Sequence, residues 1–344
     1  MKITVIIPVY NVADYIERCI SSVMRQSYQM IECIIIDDAT EDDSILICER
    51  LIENYQGTIE FRILHHPVNR GLSAARNTGT MAAKGDYLLY LDGDDELADN
   101  CLELLLEGVE KYPGIDLVQG NAASTSNKRL DPYAHQIYEP YLSTNEKIRE
   151  YWFGRKQFGL TAWNKLVRRD FVMEHTLFFI KSLLFEDALW NFYLQKYLTS
   201  VYFVQDVTYY YHRRQGSIQT GTNKQAVGRH YSYILCNILN NLTSGKEKEE
   251  LKYYSRTFAL LYPKCVDAYP KMHIVWRLFW AASARYHVRY IRLWLLASRL
   301  ISGIKFGQLA LPFIRNIINT AWNLQYYMSF NTLKLAYKWK RLKY

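Results

Sequence analysis

In the first hundred residues, short unbroken apolar runs alternate with segments whose apolar positions recur every three or four residues. The runs Ile3–Val9, Glu32–Asp37, Phe61–His65 and Tyr87–Asp92 read as strands. Between them, Ala13–Gln26, Asp43–Asn54 and Ser73–Ala83 read as helices. This order predicts an α/β domain whose parallel strands are joined by right-handed crossovers and covered by helices. Polar residues follow the apolar strands: Tyr10 and Asn11, Asp37 and Asp38, Asn69, then Asp92, Asp94 and Asp95. Strand ends of this kind share one rim, where sheets of this class bind ligands.

Further along, Asp116–Gln119 reads as one more strand, and Gln119–Thr144 reads as a polar loop. Ala122–Asn127 has no core-forming residue, which suggests a mobile lid. A helix is expected at Glu186–Lys196 and a strand at Val201–Tyr211. After residue 223 the pattern is mostly helical, with breaks expected at Gly245, Pro263, Pro270, Gly303 and Pro312. The organisation read from this is an α/β domain over 1–220 and a helical region over 221–344.

Composition adds an asymmetry that the pattern does not show. Residues 1–267 hold 29 Lys and Arg against 34 Asp and Glu, whereas residues 268–344 hold 13 Lys and Arg and no acid. An acidic body therefore carries a basic, aromatic tail. The 49% apolar and 22% charged content excludes wholesale disorder. Six dispersed cysteines with no CxxC pair argue against a disulfide scaffold or zinc module and fit a reducing compartment. Pro8 interrupts the first apolar run, so a strand is expected there in place of a signal peptide. Five arginines within Ile274–Ile301 argue against a membrane span.

The candidate chemistry starts at Asp92-Gly93-Asp94, where two carboxylates leave a strand end around a glycine. Hard cations such as Mg²⁺ or Mn²⁺ take oxygen ligands and bridge carboxylates to substrate phosphates. Alone, the triplet also describes an ordinary acidic turn. It is preceded in order by Val5-Ile6-Ile7-Pro8-Val9-Tyr10-Asn11, by the Asp37–Ser44 segment Asp-Asp-Ala-Thr-Glu-Asp-Asp-Ser, by the Asn69–Gly79 segment Asn-Arg-Gly-Leu-Ser-Ala-Ala-Arg-Asn-Thr-Gly, and by Ala83-Lys84-Gly85-Asp86-Tyr87. Together these motifs resemble family 2 glycosyltransferases of the glycosyltransferase-A fold, a Rossmann-like, mostly parallel sheet with helices on both faces, over roughly 1–220. Thr40 stands where that family usually has Ser, and the hydroxyl is kept.

The resemblance implies a nucleotide-sugar site. Pro8 and Tyr10 would line the base pocket, Asp38 would accept from a uracil imide, and Asn69 and Arg76 would help hold the nucleoside. Asp92 would serve the ribose and metal region, and Asp94 would bind Mg²⁺ or Mn²⁺. Trp163-Asn164-Lys165-Leu166-Val167-Arg168-Arg169 and Phe185-Glu186-Asp187-Ala188-Leu189-Trp190 resemble the capsule and teichoic-acid branch, in which Asp187 would be the general base and Glu186 would orient the acceptor. The segment Tyr209–Ile218 resembles one that closes over the diphosphate, with Arg213, Arg214 and Ser217 as its contacts and His212 either near them or structural.

No Gln-x-x-Arg-Trp motif and no multi-span region occur, so transfer of one sugar per encounter is expected over processive synthesis. Gly-x-Gly-x-x-Gly and Gly-x4-Gly-Lys-Ser/Thr are also absent, which argues against Rossmann dinucleotide and P-loop chemistry. The rival classes are a catalytically inactive sugar-binding or assembly protein of the same fold, and a nucleotidyltransferase that would release pyrophosphate.

On one helical projection, Arg277, Arg285, Arg289, Arg292 and Arg299 span about 120° of arc, with Trp276, Tyr290, Trp294 and Ile301 opposite. Such a face suits an anionic membrane surface better than nucleic acid, because no nucleic-acid signature accompanies it. The expected placement is cytoplasmic, peripheral on the inner face of the cell membrane, with a lipid-diphosphate-linked glycan as acceptor. Each cation near anionic lipid contributes about 1 kcal/mol. The full chain should therefore sediment with anionic liposomes and a chain lacking 270–344 should not; equal, negligible binding of both would dismiss the membrane surface.

Overall fold

The computed structural model describes residues 1–124, 129–130, 139–155, 160–212 and 223–286, with Val288 and Leu295. The chain divides into two compact units, Met1–Gly221 and Thr222–Tyr344.

The first unit is built on β1 (Ile3–Val9), every residue of which is buried. Ile3, Val5, Ile7 and Val9 pack with Ile16, Cys19, Ile20 and Val23 of α1 (Ala13–Met24) and with Cys48 of α2 (Ser44–Glu53). Ile6 points to the other face, towards α3 (Leu72–Ala82). There a Cβ on Gly79 would lie 2.3 Å from the Ile6 Cγ2, so only glycine lets the helix settle this close. A strand covered on both faces cannot alternate polar and apolar residues, which accounts for its continuous apolar run.

The other strands are β2 (Ile31–Asp37), β3 (Glu60–His65), β4 (Tyr87–Tyr90), β5 (Glu96–Leu97), β6 (Leu117–Ser124), β7 (Arg129–Leu130), β8 (Tyr141–Leu142), β9 (Lys165–Arg168) and β10 (Val201–Tyr211). Interleaved with them are α4 (Cys101–Lys111), α5 (Asn145–Glu150), α6 (Arg169–Glu174) and α7 (Glu186–Tyr197). The sheet runs β3-β2-β1-β4-β9-β6-β10-β5, with β7 on β6 and β8 on β10. Strands β3, β2, β1 and β4 are mutually parallel, as the sequence suggests. Beyond β4 the sheet is mixed, because β9 lies antiparallel between β4 and β6.

Two expectations change here. Strand β6 runs to Ser124 with Ala122 buried, so the segment from Gln119 to Ser124 is strand and not loop; residues 125–128 and 131–138 of the expected lid lie outside the described residues. The missing bulk comes from β10, whose Tyr209, Tyr210 and Tyr211 stand in register with Ala122, Ala123 and Ser124. Pro263 does not break its helix, which continues to Cys265; near a C-terminus the lost N–H and the ring clash disturb little further helix.

The second unit packs α8 (Lys224–Asn240), α9 (Glu247–Cys265) and α10 (Met272–Arg285) around stacked Phe258 and Phe279. Breaks fall at Gly245, with φ of 78°, and around Pro270. Helix α10 ends at Arg285, where the N–H groups of Tyr286 and Val288 bond back to Ala282 and Ser283. The single helical projection through Arg299 therefore does not hold past Arg285, and Arg289, Arg292 and Arg299 lie outside the described residues. All six cysteines are free.

At the rim, the loops after β1 and β2 are tied together by side chains. Thr40 Oγ1 accepts from the Asn11 N–H at 2.8 Å, Asp42 accepts from the Ala13 N–H at 2.8 Å, and Ser44 Oγ accepts from the Val12 N–H at 3.0 Å. The tie holds Asn11 and Ala39 at φ of 52° and 56°, a region in which a Cβ is strained. Ala39→Gly should raise the urea unfolding free energy by about 0.5–1 kcal/mol, the relief of strain outweighing glycine's greater unfolded freedom; a decrease would show that Ala39 is not strained.

Candidate active site

The site grows from the start of α3. Gly71, at φ of 83°, precedes the helix, and the Asp38 carboxylate accepts from the N–H groups of Arg70 (2.9 Å) and Gly71 (2.7 Å). This pins the helix start to the end of β2. One turn before the close approach at Gly79, Arg76 is carried into the interior, with 1% of its surface exposed.

Its guanidinium donates to Asp92 Oδ1 at 2.7 Å, to Glu186 Oε1 at 2.7 Å and to Asp187 Oδ1 at 2.8 Å. It lies 5.2 Å from the ring centroid of Phe179, which Asn77 holds through paired bonds to the backbone N–H and C=O. A buried guanidinium needs this company, because its desolvation alone costs several kcal/mol. Arg76 was expected to help hold the nucleoside. The structure bonds it to three carboxylates, which converge on it from the turn after β4 and from the start of α7.

Three carboxylates around one cation leave negative charge in excess. Burial, then repulsion from Asp187, pushes the Glu186 carboxyl up to about 8, which favours its protonated form near neutrality. Burial also raises Asp187, against the pull of Arg76 and of the Ala162 backbone N–H. Both begin α7, where the positive helix end favours carboxylates.

The turn after β4 carries Asp92, Gly93, Asp94 and Asp95. Asp95 is 1% exposed and accepts from the Tyr209 hydroxyl at 2.7 Å and the His212 N–H at 2.8 Å. Burial and the neighbouring Asp94 and Asp92 push its carboxyl well above the usual range. Trp163 stacks on Tyr209 with centroids 4.4 Å apart. Arg18 donates to the Asp94 carbonyl at 2.9 Å, and His212 Nε2 sits 3.7 Å from Glu96. Asp94 is half-buried on the rim. Among the described residues no group of three or more His, Cys, Asp or Glu is placed to hold a metal. One oxygen of Asp92 is already bonded to Arg76. Asp94 and the remaining oxygen of Asp92 are hard donors that fit Mg²⁺ or Mn²⁺ where a substrate diphosphate and water complete the shell.

On the donor side, Pro8 is buried, Tyr10 is 41% exposed at the end of β1, and Asn69 is exposed before α3. Asp38 is turned inward. Besides the two backbone bonds, its Oδ1 lies 2.6 Å from His66 Nδ1, and His66 Nε2 lies 2.9 Å from Thr78 Oγ1. Of about four acceptor positions on a carboxylate, three are used by the chain itself, so the first task of Asp38 is to fix the Arg70–Gly71 corner. Arg213, Arg214 and Ser217 lie outside the described residues. Sequence reasoning missed Tyr209, Phe179 and His66 as partners of the site; buried aromatic and histidine residues carry no motif signal until the fold closes them on a carboxylate. Asp95 was legible only as one more acid at the strand end.

A Rossmann-like sheet with an Asp-x-Asp turn at its rim, facing a Glu-Asp pair across a buried arginine, defines an enzyme of the glycosyltransferase-A fold. The model of glycosyl transferase family 2 matches residues 4–176, and the chain belongs to that family. Among curated relatives, glycosyltransferase GlyA of Streptococcus pneumoniae serotype 4 is 33% identical over 225 residues, covering 63% of this chain but only 31% of GlyA. The GalNAc(5)-diNAcBac-PP-undecaprenol beta-1,3-glucosyltransferase of Campylobacter jejuni is 26% identical over 79% of this chain and 83% of its own length. The crystal structure of S. aureus TarS 1–349 with UDP-GlcNAc superposes with a TM-score of 0.66 at 18% identity, covering 88% of this chain and 90% of that one. At that identity the likeness is one of fold.

Because the folded protein binds the Glu186 proton more tightly than the unfolded chain, this group's contribution to stability is complete below about pH 4 and is lost as pH rises through about 8. Thermal midpoints should therefore fall between pH 5 and pH 8, and fall less in Glu186→Gln. Identical declines in the two proteins would place the proton elsewhere.

Proposed function

We propose that the protein is an inverting, metal-dependent, non-processive glycosyltransferase that moves a hexosyl or N-acetylhexosaminyl group from a UDP-linked donor to a hydroxyl of a surface-glycan precursor carried on a lipid diphosphate. The observation that carries this reading is Arg76, which bonds the donor-side Asp92 and the acceptor-side Glu186 and Asp187 through one guanidinium. A frame that holds both sides of a reacting carbon in register suits single displacement.

In this reading Asp187 accepts the proton of the acceptor hydroxyl as its oxygen bonds the anomeric carbon. The bond from that carbon to the nucleoside diphosphate breaks on the opposite face, and the configuration inverts. Glu186, protonated near neutrality, is left to donate a hydrogen bond to the acceptor or to Asp187. A raised carboxyl is a better base, and a positioned one contributes about 10²–10⁴-fold. Asp94, with Asp92, would hold a Mg²⁺ or Mn²⁺ ion whose charge offsets that of the departing diphosphate. Tyr10 offers an exposed ring on which a nucleobase can stack, and Arg213, Arg214 and Ser217 would meet the phosphates.

The acceptor class draws support from the Campylobacter relative, whose name states a lipid-diphosphate-linked substrate. A peripheral position on the inner face of the membrane is supported by the outer side of α10, where exposed Ile274 and Leu278 stand with exposed Arg277 and Arg285. Among the described residues no helix is long and apolar enough to cross a membrane.

Release of UDP from a panel of UDP-hexoses and UDP-N-acetylhexosamines tests the reading. The reaction should need Mg²⁺ or Mn²⁺ and stop with EDTA. Asp187→Asn should lower turnover by about 10²–10⁴-fold with UDP affinity nearly intact. Turnover that survives the Asn substitution would place the base elsewhere, and insensitivity to EDTA would remove the metal.

A further inference from the structure

Asp187 rests on a second support that the reaction scheme does not use. The Ala162 backbone N–H donates to its carboxylate. The turn that presents this amide is gripped from two sides. Asn191, one turn along α7 and fully buried, donates to the carbonyls of Leu160 (2.8 Å) and Asp187 (2.8 Å). Lys165, at the start of β9 and 1% exposed, donates through Nζ to the Thr161 carbonyl at 2.5 Å. The backbone between them passes through Asn164 at φ of 62°. That strained conformation is held because the Asn164 side chain bonds Gly120 O and Thr208 Oγ1.

A lysine is a poor choice for a grip of this kind. Burial pushes its ammonium down to about 7, opposed by the attraction of Asp187. A methionine of similar length would fill the space with no charge to desolvate. What only the lysine supplies is charge. With the proton on Glu186, Asp92 and Asp187 present two negative charges to the single guanidinium of Arg76. Lys165, which Asp187 attracts, adds the second positive charge.

We propose that Lys165 is a positioning residue of the transfer reaction, holding the Leu160–Ala162 turn against Asp187 and balancing the charge of the buried carboxylate cluster. The proposal rests on the reading of Asp187 as the base. The groups facing Asp187 are then Arg76 from α3, Asp92 from the turn after β4, Glu186 on its own helix, and Lys165 with the Ala162 amide from the segment into β9. Removing a positive charge from this set makes Asp187 harder to ionise, so activity should fail at a higher pH on the acid side.

The test uses the full chain and UDP release from whichever UDP-sugar of the panel turns over. Lys165→Met should move the acid limb of the pH–rate profile up by about one pH unit and lower the rate by up to about tenfold at pH values on that limb. The donor KM should change by less than about twofold, because the substitution touches no donor contact. Its thermal midpoint should fall, because the Thr161 carbonyl loses its donor and the buried carboxylates lose a cation. Lys165→Arg, which keeps the charge, should keep the acid limb in place. An unmoved limb with unchanged rate in Lys165→Met, or a lowered midpoint with the limb in place, would show that Lys165 serves packing alone. If Lys165→Met does not accumulate as folded protein, an upward-moved limb in Lys165→Arg would overturn the proposal, and a limb left in place would support it. Asp187→Asn separates the two ideas: full turnover there removes the base assignment itself, whereas its loss beside an unaffected Lys165→Met removes only the role of the lysine.

Discussion

The site depends on one buried guanidinium. Arg76 binds Asp92, 16 residues away, and Glu186 and Asp187, 110 and 111 residues away, so a single side chain joins the first half of the sheet to the helix that completes the site. Its planar fork of donors can meet several carboxylates at once, which a lysine cannot. Without it, three carboxylates would be buried at close quarters without the one cation that bonds all of them, a far larger penalty than any ordinary packing defect.

Around this centre the fold places rigidity and strain where chemistry would need them. Gly79 lets α3 approach β1, which sets the depth of Arg76. The non-glycine residues at positive φ stand at the ends of β1 and β2, just before β9, at the end of α6 and in the loop leading into α7. Those are the segments that carry Tyr10, the Asp37–Asp38 corner, Lys165 and the Glu186–Asp187 pair. Hydrogen bonds from Thr40, Asp42, Asn164 and Asn77 hold them there, consistent with strain stored where side chains must be aimed and absent from the interior of the sheet.

The two units differ in kind. The first is an acidic α/β body whose interior is spent on continuous strands and on buried charges, among them the cluster around Arg76. The second is a helical unit with an aromatic core and a basic outer face. Exposed Ile274 and Leu278 on α10 sit among exposed arginines.

Much of the architecture was legible in the chain itself. Continuous apolar runs and helical periodicity located β1 to the last residue and β2, β3 and the first three helices to within one or two, because a doubly covered sheet leaves a local imprint on every position. The Asp-x-Asp turn and the Glu-Asp pair were visible for the same reason: each is a short motif at an element end. The antiparallel β9, the extension of β6 through Ala122–Ser124 and the passage of α9 through Pro263 were not, since each depends on what packs alongside. Nor could the chain alone reveal that Arg76 bonds three carboxylates, or that Asp38 faces inward. Charge in a sequence has a sign and a position along a line. Which charges share a buried volume, and so which of them hold protons, is settled only when the folded chain brings distant segments into contact and excludes water from between them.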